Sequence, residues 1–304
     1  MPVELSQSFL SAERYPKMPD FVFQFKTIIS VIVVAVFLAL LLVETRFSLR
    51  QRKRPKLERY LINMGVSALA LATGAYIVAP VALRLASWTS ESSFGLLGVI
   101  SLPFTAEFII GFLLMDLTFY YWHRANHSIP ILWRFHNVHH VDPDLDVSTS
   151  FRFHFGEVLY SVGFRGLQVY LIGIPLFTYL VYELVFQCAT MFHHSNVRLP
   201  ITVERWLNKI VVTPRIHGIH HSIVKGETNS NFSVVFRWWD LLHGTLKLNV
   251  KQSEIVIGVP AYLEPDDNKF VNLLVLPFRK QREYWRLPEN EPSERGRSEG
   301  SRQS

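Results

Sequence analysis

Cysteine is what this sequence has least of. A single residue, Cys188, sits inside an apolar stretch. No disulfide can therefore form within the chain, and neither a thiolate metal site nor a cysteine-held iron–sulfur centre can be built. Charge is scarce too: 18% of the 304 residues are charged against 49% hydrophobic. Two runs carry no charge at all, residues 27–43 (TIISVIVVAVFLALLLV) and residues 60–83. There is no glycine-rich dinucleotide fingerprint after a strand and no H-E-x-x-H pattern. No cleavable leader is expected, because the first apolar run starts late and lacks a small-residue cleavage pattern. That run reads as a retained anchor.

A bilayer core of about 30 Å needs roughly 20 apolar helical residues. Residues 60–83 meet this outright, and residues 27–43 do so with their flanks. Between them lies RFSLRQRKRPKLER, Arg46 to Arg59, which contributes much of the net charge of +6. The positive-inside rule makes this loop cytoplasmic. No nucleic-acid-binding signature accompanies it, so no nucleic acid partner is expected. Residues 85–96, including SWTSESS, read as a polar turn on the far side. Pro103 then opens a third helix, PFTAEFIIGFLLMDLTFYYW, which carries Glu107 near its entry end and Asp116 within it.

A further apolar stretch, residues 158–192, is broken by Gly173, Ile174 and Pro175. Its ends carry His154 and His194, and if both join one site the stretch must return to the face it left. The expected architecture is an all-α integral membrane protein. It has about four transmembrane helical elements, including this helical hairpin, and a histidine-rich di-metal domain on the cytoplasmic side. The chain divides into an N-terminal membrane region, 1–104, a histidine-bearing unit, 105–248, and a C-terminal cytoplasmic segment, 249–304. The last residues, LPENEPSERGRSEGSRQS, read as a disordered tail.

What the chain does have is histidine in patterns. HRANH supplies His123 and His127, FHNVHH supplies His136, His139 and His140, and HGIHH supplies His217, His220 and His221. On a helix, positions i, i+3 and i+4 share a face, so each motif gathers its imidazoles on one side. Neutral imidazole suits zinc, copper, iron and nickel, whereas clustered imidazoles without a metal gain nothing and repel when protonated. Two more donors, His154 and His194, are candidates. Eight to ten nitrogens exceed what one ion accepts, so two ions are implied. Asp116 lies seven residues before His123, about two turns away on the same helix face. It either orients a ligand from behind or is a polar residue at the membrane edge.

The segments DLTFYYWHRANH, LWRFHNVHHVD, STSFRFHFGE, HHSNVRLP, TPRIHGIHHS and ETNSNFSVVFRWWDLLHGT follow one another in order. Together they resemble the fatty acid hydroxylase superfamily, also called the sterol desaturase family, of membrane di-iron enzymes. The likeness covers roughly residues 105–248. It implies a centre of two iron ions on the cytoplasmic side, held by the eight motif histidines with His194 from the H-S-N triplet. His154 matches an R-x-H position found in many members, and Asn231 and Asp240 also match family positions. Asn231 supports a ligand or shapes a loop. His193 has no counterpart. His243, Asn229, Ser233 and Phe155 depart from residues common in the family, but none of them replaces a motif histidine.

The activity expected on this basis is hydroxylation of a lipid C–H bond using dioxygen, with desaturation as the alternative outcome of the same first hydrogen abstraction. A zinc-dependent membrane hydrolase or a metal transporter are the readings from other classes. The hydrolase would use three protein ligands and a carboxylate base, and the transporter would place its ligands within crossing helices. Electrons must come from a separate ferredoxin or cytochrome with its reductase. Imidazole sites accept zinc as well as iron, so the purified protein can carry zinc. A bacterial inner membrane is the expected location. Tyr120, Tyr121, Trp122 and Trp133 flank the motifs as interface residues or as a channel lining.

Overall fold

The computed structural model describes residues 20–286; the expected tail lies outside the described residues. The chain is an integral membrane protein. Three helical stretches, Phe23–Arg46, Lys56–Ser92 and Phe104–Ser128, are long and apolar enough to cross a bilayer. No β-strand occurs among the described residues, which hold only isolated bridges such as Val211 with Phe236.

Helix α1, Asp20–Arg46, begins before its charge-free core and is scarcely covered by the rest of the chain. Its last buried side chain, Glu44, accepts the backbone N–H groups of Val147 and Asn196. Helix α2, Lys56–Thr73, continues through a π-helical turn, Gly74–Val78, into α3, Ala79–Ser92. The expected end near residue 84 is therefore corrected: SWTSESS lies largely on the helix. Its serines fold their hydroxyls back onto the helix, Ser90 to the Ala86 carbonyl and Ser92 to the Trp88 carbonyl. This satisfies them without leaving helical geometry. The helix stops only at Ser93, which is left-handed with φ of 50°.

Helix α4, Phe104–Ser128, starts directly after Pro103, and the extended Ile129 separates it from α5, Pro130–His140. Helices α6, Phe155–Ile172, and α7, Leu176–His194, form the hairpin. Their 18 and 19 residues give each arm about 27 Å, close to the hydrocarbon thickness. Gly173 turns the chain at φ +66°, and a Cβ there would lie 2.0 Å from the Phe94 carbonyl oxygen. The loop after α3 clamps this tip, with Leu96 and Leu97 N–H donating to the Leu171 and Ile172 carbonyls. The hairpin thus reaches the end of the bundle opposite the histidines. Ala82, Leu97, Met115, Val169 and Tyr182 pack its interior.

Short helices complete the histidine-bearing end: α8, Ile201–Leu207, α9, Pro214–His220, α10, Lys225–Thr228, α11, Trp238–Leu242, and α12, Phe270–Val275. Several arginines of the basic loop reach this end, with Arg59 buried and Arg50 half-buried. Arg59 pairs with Asp142 at 2.7 Å and with Asp146, clamping α2 to the segment that follows α5. Burial alone would raise the Asp142 carboxyl, but Arg59 and Arg152 override it and hold it at about 2. Arg50 donates to the Pro214 carbonyl at 2.6 Å and lies directly over Gly218, where a Cβ would come within 1.7 Å of its guanidinium. A side chain at the glycine of HGIHH would displace that guanidinium from the Pro214 carbonyl.

Candidate metal centre

Four helices deliver the histidines. His123 and His127 lie one turn apart near the end of α4, His136, His139 and His140 on the last turns of α5, and His194 at the end of α7. His217 and His220 come from α9, with His221 as its C-cap. Their ring nitrogens form two groups. The first comprises His123, His127, His136, His140 and His220, and the second His139, His194, His217 and His221. Within each group the donor atoms lie within 4.8 Å of one another. All nine residues are buried except His127, which is half-buried.

The two H-x-x-H-H motifs are used in opposite senses. In α5, His136 and His140, four apart, face the first group, while His139 faces the second. In α9, His217 and His221 face the second group, while His220 faces the first. Successive helical residues diverge by about 100°, so each doublet divides between the groups.

Hydrogen bonds fix which nitrogen points inward. The Nδ1–H of His123 donates to the Phe232 carbonyl at 2.8 Å and that of His220 to the Ser230 carbonyl at 2.7 Å. His194 donates to the Thr190 carbonyl at 2.7 Å, and His136 bonds the Glu157 carboxylate at 2.8 Å. Each such bond leaves the Nε2 lone pair free for a metal, the usual arrangement of a ligating imidazole. In the second group the Nε2 atoms close on one another: His139 to His194 at 3.0 Å, His194 to His217 at 2.9 Å, and His217 to His221 at 3.1 Å.

Burial, and after it the neighbouring imidazoles, push His139, His140, His217 and His221 well below the ordinary histidine value. The rings are therefore neutral and present lone pairs. Several of those nitrogens, including both on His127 and His140 and the Nε2 of His136 and His220, are buried with no hydrogen-bond partner. Each such atom costs about 1–3 kcal/mol. A cation among them would satisfy them together, so the donor set fits a pair of imidazole-liking metal ions. Neither group contains a carboxylate or thiolate.

The remaining sequence candidates lie elsewhere. His154 joins neither group. Its Nε2–H donates to the Leu274 carbonyl at 3.1 Å, and its Nδ1 accepts from Gly156 N–H at 2.9 Å, capping α6. Asp116 touches no histidine. It accepts N–H bonds from Val235, Phe236 and the Trp239 indole, and so grips the extended segment whose carbonyls hold the rings. Asn231 sits in that segment at φ of 55°, a left-handed conformation that asparagine tolerates. Its side chain bonds Ile216 and Lys247 backbone. Asp240 completes the frame by accepting from Phe232 and Ser233 N–H.

Sequence reasoning missed this row of alternate carbonyls, Ser230, Phe232 and Val234, the last of which accepts from the omitted His193. It also missed Glu157, whose one signal was its place in HFGE beside the motif. His243 bonds the Tyr121 hydroxyl at 2.7 Å, away from both groups.

A cavity of about 400 Å³ opens onto His123, His136, His139, His193, His194 and His217 and extends between the π-helical turn and the hairpin. Of the four flanking aromatics only Trp122 lines it. Tyr120 bonds Thr245, Tyr121 bonds His243, and Trp133 packs in the core.

A model of the fatty acid hydroxylase family matches residues 108–245. The ornithine lipid hydroxylase of Rhizobium tropici is 31% identical over 59% of this chain and 52% of its own length. Human cholesterol 25-hydroxylase is 32% identical over 44% of this chain and 49% of its own. Human alkylglycerol monooxygenase is 26% identical over 49% of this chain and 32% of its own. The chain thus spans about half the length of the first two. No solved structure matches.

Proposed function

We propose that this chain, which belongs through residues 108–245 to the fatty acid hydroxylase superfamily, is a membrane-bound lipid hydroxylase holding two iron ions between its histidine groups. One observation carries the reading: the cavity between membrane helices ends on six buried histidines from both groups and their border. An apolar chain entering it from the bilayer would meet the metal pair with water excluded. The names of the relatives, two lipid or sterol hydroxylases and a monooxygenase, support the same class.

A pair of redox-active ions so held supplies dioxygen activation and hydrogen removal from an unactivated C–H bond. The rest is the work of this chain. His123, His127, His136, His140 and His220 would hold one ion, and His139, His194, His217 and His221 the other. Five donors exceed the four that structural zinc takes, which favours iron in the first group. The carbonyls of Ser230, Phe232 and Thr190 keep the proton on the outer nitrogen of their histidines. Glu157 does the same for His136. Trp122, Phe119 and Phe186 line the cavity along the substrate chain.

We place the centre on the cytoplasmic face, because the basic loop folds against the histidine-bearing end. There it can receive electrons from a separate ferredoxin or cytochrome with its reductase. His154, whose two nitrogens are both engaged, is proposed as a helix cap, and Asp116 and Asn231 as supports of the carbonyl row.

The test is untargeted lipid mass spectrometry on cells making the intact chain or its His139→Ala variant, with and without oxygen. A lipid gaining one oxygen atom only with intact protein and air is expected. Loss of two hydrogens would make the enzyme a desaturase, and an oxygen-independent change in lipid would overturn the oxygenase.

A further inference from the structure

The hairpin carries two charges in the middle of its apolar sequence, Arg165 on α6 and Glu183 on α7, and both line the cavity. Arg165 Nη2 lies 3.2 Å from Glu183 Oε1. Its Nη1 donates to Gln168 Oε1 at 2.6 Å, and Gln168 is itself held by the Met115 carbonyl at 2.9 Å. The guanidinium carbon stands 5.7–5.9 Å from the ring centres of Phe119, Tyr182 and Phe186. Arg165 is thus fixed from three sides. Glu183 is less tied: its Oε1 is buried and accepts no aligned hydrogen bond.

The pair is connected to the histidines by two polar rows that also line the cavity. Glu157, Ser161 and Arg165 follow one another at four-residue intervals on α6, and Glu183, Gln187, Thr190 and His194 share a face of α7. By helix rise, Arg165 lies about 12 Å from Glu157 and Glu183 about 16 Å from His194. Arg165 is buried and Glu183 half-buried, and an ion pair taken from water is weak support for a fold, because desolvation offsets its attraction. A polar track through a lipid-facing cavity therefore calls for a ligand.

We propose that Arg165 and Glu183 form a subsite for an uncharged hydrogen-bonding group of the lipid, a hydroxyl or an amide, which fixes the carbon presented to the histidines. The pair is neutral as a unit and offers both a donor and an acceptor. A hydroxyl or amide satisfies both and adds no charge. A carboxylate or an ammonium would leave an uncompensated charge in a medium of low dielectric. This rests on the lipid-oxidising reading of the same cavity.

The experiment measures binding without turnover, so it stays readable whether or not any lipid is oxidised. Protein in nanodiscs is titrated with four radiolabelled probes of equal chain length: a primary alcohol, an N-methylamide, a carboxylate and an alkylammonium. The alcohol or the amide should bind about tenfold tighter than either charged probe, and their relative affinity tells hydroxyl from amide. The Arg165→Met/Glu183→Leu double variant should lose that preference. Glu183→Gln leaves the arginine uncompensated and should shift the preference toward the carboxylate by about tenfold, a gain that misfolding cannot mimic. An unchanged ranking in both variants, a charged probe ranking first in the wild type, or no binding of any probe to the wild type would each overturn the subsite.

Discussion

The two histidine groups are built from similar parts but held differently. In the five-membered group, His123, His220 and His136 are each pinned from behind, by two backbone carbonyls and a carboxylate. In the four-membered group only His194 has such a partner. The Nδ1 atoms of His139, His217 and His221 have none. These rings are positioned by packing: His139 stacks on Phe153 at 4.4 Å and His221 on His140 at 4.3 Å. Three of the five rings of the first group are held by hydrogen bonds, whereas three of the four of the second are held by ring packing. Outer hydrogen bonds are worth roughly 10–100-fold in metal affinity, so the two ions should differ in how readily they leave.

The strongest way to break this comparison is to remove one donor from each side. His194→Ala leaves three donors in the smaller group and should strip about one metal equivalent per chain and abolish turnover. His127→Ala leaves four in the larger group and should keep most of its metal. Equal losses by elemental analysis would erase the distinction.

Next in size is Asp240→Ala, which frees the Phe232 and Ser233 amides and loosens the carbonyl row. Metal affinity at the five-membered group should fall about 10–100-fold in a chelator competition, with the other group nearly unchanged. Glu157→Ala should act on the same group through His136 alone, by about tenfold, while Glu157→Gln, which keeps an acceptor, should lose less. In the wild type, a chelator series should release metal in two phases, the four-membered group first; a single phase would show that the groups are equally held.

The smallest effect belongs to His154→Ala. Loss of its cap on α6 should lower stability by about 1–2 kcal/mol in thermal unfolding, with metal content intact. Metal loss matching that of His194→Ala would return His154 to the ligand set.

The sequence made the histidines legible because i, i+3 and i+4 spacing is local. It could not reveal that each doublet divides between groups, since that depends on how α5 and α9 cross in space. His154 stood near the motifs, yet its position at a helix start made it a cap. The hairpin was legible because Gly173 and Pro175 interrupt an apolar run whose two ends carry histidines. The length of α3 was not, because Ser90 and Ser92 read as turn residues until their hydroxyls are seen bonded to the helix itself. Arg165 and Glu183 were hidden by their apolar neighbours, and only the facing of α6 and α7 brings them together. The basic loop suggested an orientation through its charge, but nothing in that charge foretold that Arg59 would be buried and Arg50 half-buried.

The divided doublets carry a consequence for how the protein matures. Neither group is complete until segments far apart in the sequence have docked: α4 and α9 for one, α7 and α9 for the other, with α5 common to both. A full set of donors would therefore be in place only after the hairpin has inserted and returned. Because binding free energy becomes folding free energy when the site exists only in the folded state, metal loading would act as a latch across the membrane helices. A chain arrested before α9 arrives lacks three of the nine imidazoles, two of the four in the smaller group but one of the five in the larger.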